Sequence, residues 1–135
     1  MTEDEAKKAL LSHAGPALKT GFLGMLRPYG GLREESFHEV MAALAALGSS
    51  LGSGSTVDRQ VMGALWGICA LAECWGVDPD GMLQRNKLVS PGDFQRLAEW
   101  IKIISWTVMF LLDGAGEEAA FEMYKRYCAD HYHKN

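Results

Sequence analysis

The residues with the greatest chemical potential stand together in Glu34-Glu35-Ser36-Phe37-His38-Glu39. On a helix, positions three and four apart are neighbours, so Glu35, His38 and Glu39 are expected to share one surface. The Glu35-x-x-His38 spacing is the unit from which dinuclear carboxylate centres are assembled in helical bundles. Such a centre needs two of these units and further carboxylates. This chain carries one, so a second would have to come from another subunit, with iron or manganese as the metal. The competing expectation is a solvated helix start, where Glu34 and Glu35 favour the positive end of the helix dipole.

A second group, Cys128-Ala129-Asp130-His131-Tyr132-His133, has the thiol and imidazoles that suit zinc. Cys128 and His131 would share a helix face, but a structural zinc site needs four ligands, and a terminal segment without a metal is the simpler expectation. Catalytic triads have no signature here, because no nucleophile elbow positions a serine. Gly30-Gly31 precedes a helix and could present amides to a phosphate, though a turn is the simpler reading. Met41, Met62, Trp66, Trp100 and Trp106 fall at helical core spacings and need no cofactor to explain them.

The elements that must position these residues are all helical. Thr2 and Glu5 have the spacing of a capping box and open a helix over about 3–13. Gly15-Pro16 ends it. A short helical piece over 17–27 runs to the turn Arg27-Pro28-Tyr29-Gly30-Gly31. Phe37, Val40, Met41, Leu44, Leu47 and Leu51 recur at steps of three and four, which predicts a helix over 33–51. Ser55 or Thr56 caps a helix over 57–75, with Asp58 at its positive end and Gly76 as a left-handed C-cap. That helix is apolar nearly all round, and is therefore expected at the centre of the bundle or in a subunit interface. Asp78-Pro79 opens a short helix over 79–86. Ser90-Pro91 opens a long one over 91–113, closed by Gly114, and a last helix spans 117–132. No segment alternates as a strand does. The fold class is all-α: a single domain over 1–135, a compact bundle of about five main helices plus a short one.

Composition agrees with that class. Of 135 residues, 48% are hydrophobic and 22% charged, a globular balance that argues against disorder. The formal charge of −4, with no Lys/Arg cluster, supplies no electrostatic footprint for nucleic acid or an anionic membrane. Cys69, Cys74 and Cys128 are odd in number and form no CxxC pair, so they are expected as reduced thiols in a cytoplasmic protein. The acidic Met1-Thr2-Glu3-Asp4-Glu5 start lacks the pattern of a signal peptide. The apolar runs 61–72 and 103–112 are both shorter than the roughly 20 residues that cross a bilayer.

The stretch Leu65-Trp66-Gly67-Ile68-Cys69-Ala70-Leu71-Ala72-Glu73-Cys74-Trp75-Gly76-Val77-Asp78 resembles a helix and turn of the MazG-like all-α nucleoside-triphosphate pyrophosphohydrolases. In that family an apolar helix with a Leu-Trp pair runs into a Leu-Ala segment and a Gly-Ile/Val-Asp turn. Gln84-Arg85-Asn86-Lys87 is similar to the basic and amide segment that follows, and Glu34-Glu35-x-x-His38 resembles the first half of the metal motif, Glu-Glu-x-x-Glu. The likeness covers about residues 33–87.

The resemblance implies a site where two acids from each half of the motif hold Mg²⁺ ions that neutralise triphosphate and activate water. Residue by residue, Glu35 is kept, the second acid is His38, the third is Gln60 and the last is Gly63. Magnesium prefers oxygen ligands, so imidazole and amide are poor replacements. The expectation is thus a MazG-like bundle with a degenerate magnesium site, a non-catalytic binding or interaction protein that forms a homo-oligomer and needs no cofactor. The alternative is a divergent pyrophosphohydrolase that binds nucleotide and holds Mg²⁺ or Mn²⁺ with Glu34, Glu35, His38, Glu39 and Asp58.

Overall fold

The reciprocal cap at the N-terminus forms as its spacing predicts. The Thr2 hydroxyl accepts from the Glu5 amide at 3.1 Å, and the Glu5 carboxylate accepts from the Thr2 amide at 2.8 Å. This opens α1 (Glu3–His13) in a computed structural model that describes residues 1–132. The elements that follow are α2 (Glu34–Gly52), α3 (Arg59–Ala72), α4 (Met82–Arg85), α5 (Pro91–Leu112), α6 (Glu117–Ala120) and α7 (Glu122–Tyr132). Helix accounts for 68% of the structure, with no strand among the described residues, so the chain is a compact all-α fold.

α2 and α5 form the middle of the bundle. α1 packs on α2 and α3, while α6 and α7 lie on α5. α2 buries the stripe of Phe37, Val40, Met41, Leu44, Leu47 and Leu51, as its periodicity predicts. α5 starts where Ser90 accepts from the Asp93 amide at 3.2 Å, with Pro91 in the first turn, and buries Leu97, Trp100, Ile103, Ile104 and Leu111. Phe37 stacks on Trp100, with centroids 5.2 Å apart and planes 7° from parallel. The rings of Tyr124 and Tyr127 meet Phe37 edge-on. Gly114, with φ +73°, closes α5.

Several expectations need correction. The segment 17–27 is a series of turns, not a helix. Gly24 makes the close approach possible, since a Cβ there would lie 1.9 Å from the Leu18 carbonyl oxygen. His13 draws the chain inward by accepting from the Phe22 amide through Nδ1 at 2.9 Å and from the Leu23 amide through its carbonyl at 3.0 Å. Phe22, Leu23, Met25 and Leu26 consequently plug the core without any helical periodicity.

The 57–75 helix is shifted along the chain, as α3 with a π-helical continuation over Glu73–Val77, and it is not central. Asp58, rather than Ser55 or Thr56, caps α3, accepting from the Val61 amide at 3.0 Å. Only Val61, Ala64, Leu65, Ile68 and Ala72 are buried along it. Past Ala72 the backbone widens into a π turn, in which the Asp78 amide donates to the Glu73 carbonyl at 2.9 Å. Gly76 lies in that turn without a left-handed φ; a Cβ there would come within 2.4 Å of Leu97 Cδ2. The stretch Arg59–Arg85 is apolar and long enough by composition to cross a membrane, although the turn at Asp78–Gly81 interrupts its helix.

Asp78-Pro79 makes a turn instead of starting a helix. The Asp78 side chain accepts from the Asp80 amide, and α4 begins only at Met82. The last expected helix is divided at Phe121 into α6 and α7.

Candidate functional site

The start of α2 and the faces of α5 and α7 build a polar cluster. The i,i+4 spacing of Glu34 and His38 brings a carboxylate oxygen within 3.3 Å of the His38 Nε2. The other Glu34 oxygen accepts from Arg96 Nη2 at 2.7 Å. Arg96 lies over the Trp100 ring at 5.3 Å, an arrangement that fixes its planar head. From α7, the hydroxyls of Tyr124 and Tyr132 lie 2.6 and 2.7 Å from the two ring nitrogens of His38.

The electrostatics of the cluster favour fixed roles. Burial would raise the Glu34 carboxyl, but hydrogen bonds from Arg96 and Tyr127, the charge of Arg96 and the contact with His38 outweigh it and hold Glu34 below its ordinary value. Burial, reinforced by Cys128, Glu34 and Tyr127, pushes the Tyr124 phenol far up. Burial also raises Tyr127, with Glu34 adding to the effect and the hydrogen bond from Trp100 opposing it. The Tyr124 phenol stays protonated and shares a hydrogen bond with His38 Nδ1. The other ring nitrogen is left to face Glu34 and Tyr132. The arrangement fastens three helices together and leaves His38 engaged at both nitrogens.

The expected grouping of Glu35, His38 and Glu39 is not what the fold produces. Glu35 is exposed, and Glu39 turns to α1, where its carboxylate lies 2.7 Å from His13 Nε2. Asp58 is paired with Lys7 at 2.8 Å, and that hydrogen bond, with help from the Val61 amide, lowers its carboxyl. Of the five candidates, only Glu34 and His38 are joined to each other by a hydrogen bond among the described residues. Among the described residues, no three His, Cys, Asp or Glu side chains converge to hold a metal ion. Within one chain, the five candidate side chains therefore do not converge on a common point. In the tail, His131 Nδ1 lies 2.8 Å from the Tyr127 carbonyl oxygen and its ring stacks on Tyr127, while His133 lies outside the described residues.

A second surface emerges where α3 meets α5. Met62, Leu65, Trp66 and Cys69 form one wall of an apolar groove, with Ser105, Val108, Met109 and Leu112 opposite. Of the three tryptophans expected in the core, only Trp100 is buried: Trp106 is 43% exposed, and Trp66, on the groove's rim at 76%, is the most open large apolar side chain among the described residues. Burial, partly offset by a hydrogen bond with Ser105, pushes the Cys69 thiol up and so disfavours its thiolate. Sequence reasoning missed this groove because its two walls are 40 residues apart. It missed Arg96, Tyr124 and Tyr132 for the same reason. The available signal was the absence of any charged residue between Arg59 and Glu73.

These features define an all-α bundle with one polar clasp and one apolar flank. No family model, curated protein or solved structure matches the chain.

Proposed function

We propose that this chain is a non-catalytic interaction module that docks an apolar protein surface on its α3–α5 flank. The observation that carries the reading is Trp66, an exposed indole at the rim of an apolar groove. A large exposed apolar patch is costly in a monomer and marks a contact surface. The engagement of Glu34, His38, Glu39 and Asp58 in contacts that hold helices together supports the non-catalytic side. A MazG-like origin belongs to the same proposal: such a bundle, with its carboxylates replaced, would keep the helices and lose the chemistry.

Oxidative footprinting of methionines tests the docking surface. Met62 and Met109 should be protected in a concentrated extract of the expressing cells relative to dilute pure protein, with exposed Met1 as the internal reference. Equal oxidation in both samples would remove the docking reading. Pyrophosphate release from nucleoside triphosphates is measured in parallel with Mg²⁺ or Mn²⁺, and none is expected. Turnover that disappears in Glu35→Ala would establish the pyrophosphohydrolase instead.

A further inference from the structure

Given that docking reading, α3 itself specifies the partner. Its charges stand only at its ends: Arg59 at the start and Glu73 just past the last turn. Trp66 lies midway, seven residues from each. Seven residues are nearly two full helical turns, so Arg59, Trp66 and Glu73 form one line along the outward face, about 21 Å from end to end. All three are exposed, and neither Arg59 nor Glu73 joins an ion pair among the described residues.

This spacing is self-complementary. A two-fold axis through Trp66, perpendicular to α3, lays a second α3 antiparallel on the first. Arg59 then faces the partner's Glu73, and Glu73 faces the partner's Arg59. The same rotation sets Met62 against the partner's Ala70. Gly63 and Gly67 flank Trp66, and a Cβ added at either would meet nothing within 4 Å. The space above them is open, and the missing side chains let a second helix approach closely. Each Trp66 ring can lie across the partner's glycines toward its α3–α5 groove.

The exposed apolar area is most of what such an interface needs. Trp66 is 76% exposed, Met109 49% and Leu112 42%. At about 200 Å² for a large side chain, these three leave roughly 330 Å² of apolar surface per copy. A standard interface takes about 800 Å² from each partner, somewhat over half of it apolar. A lipid surface fits less well, because helices that lie on membranes are rich in Lys and Arg, and α3 has Arg59 alone.

We infer that the flank is covered by a second copy of this chain, with α3 pairing antiparallel to its counterpart about a two-fold axis at Trp66. The inference rests on the proposed docking function.

Sedimentation velocity over a dilution series tests it. Wild type should pass from monomer to dimer as concentration rises. Trp66→Ser should weaken the dimer about thirtyfold or more, as loss of a central aromatic anchor does. Arg59→Glu places like charges opposite each other at both ends and should weaken it several-fold at low salt, as should Glu73→Arg. Mixing those two variants should restore association, because each then supplies the charge the other lacks. Since all three side chains are exposed, helix content by circular dichroism should be unchanged, which separates lost pairing from lost folding.

A wild type that stays monomeric at every concentration overturns the pairing. If Met62 and Met109 are nonetheless protected in extract, the docking function stands with a different protein as partner; if they are open, both readings fall. Failure of the mixed variants to associate overturns the antiparallel geometry. Binding of monomers to anionic phospholipid vesicles, with a blue shift lost in Trp66→Ser, would assign the flank to a membrane.

Discussion

Trp100 donates its indole N–H to the Tyr127 hydroxyl at 2.9 Å, with both rings buried. This bond joins α5 to α7 where the apolar core meets the Glu34–Arg96 cluster, and the Tyr127 hydroxyl is the acceptor the buried indole has there. Tyr127→Phe should therefore leave the indole without an acceptor and cost about 1–3 kcal/mol. Urea unfolding reads this as a lower midpoint at unchanged slope. An unchanged midpoint would mean that water or another group satisfies the indole.

His13 carries more than its position at a helix end implies. Its Nδ1 accepts from the Phe22 amide, so the ring proton sits on Nε2 and points to Glu39, 2.7 Å away. His13→Ala should cost about 2–4 kcal/mol, since it leaves a buried amide unpaired as well as a cavity. Glu39→Ala should cost less than about 1 kcal/mol, because that carboxylate is 61% exposed. Equal losses in the two variants would contradict this division of roles.

The Glu34–Arg96 contact gives the fold an acid dependence of known sign. Glu34 has a folded-state pKa below its unfolded one. Its contribution is therefore fully present above the ordinary glutamate range and disappears as pH falls through the folded value. At neutral pH, Glu34→Gln should lower stability by about 1 kcal/mol or less. The gap between wild type and variant should close on acidification. A gap that widens toward acid would reverse the assignment.

Thr107 is fully buried on α5, and its hydroxyl has no hydrogen-bond partner. Valine keeps the branched shape and removes the unpaired oxygen. Thr107→Val should raise stability by about 1 kcal/mol, the lower end of the cost of burying a hydroxyl. A loss in thermal or urea unfolding would show that the oxygen is bonded after all.

What could be read from the chain follows from the range of the forces involved. The stripe on α2 and the caps at Thr2 and Ser90 depend on neighbours a turn or two away, so spacing alone reveals them. The turns around Phe22 depend on His13, and the orientation of His38 depends on Tyr124 and Tyr132, 86 and 94 residues on. The same distance hid the polar clasp. Glu34 and His38 were recognisable as neighbours, but nothing local indicated that Arg96 would take up the carboxylate. α3 misled for another reason: an apolar sequence shows which residues avoid water without showing which of them find cover.

The segment that carries Phe22, Leu23, Met25 and Leu26 has a loop's backbone and a core's side chains. To open it, four large apolar groups would have to enter water at about 1.5–3 kcal/mol each. That sum is comparable to the whole stability of an ordinary domain, about 5–15 kcal/mol. Fraying, the usual behaviour of irregular chain, is therefore closed to this stretch. Its amides should exchange with solvent only when the molecule unfolds globally, as slowly as those in the middle of α2.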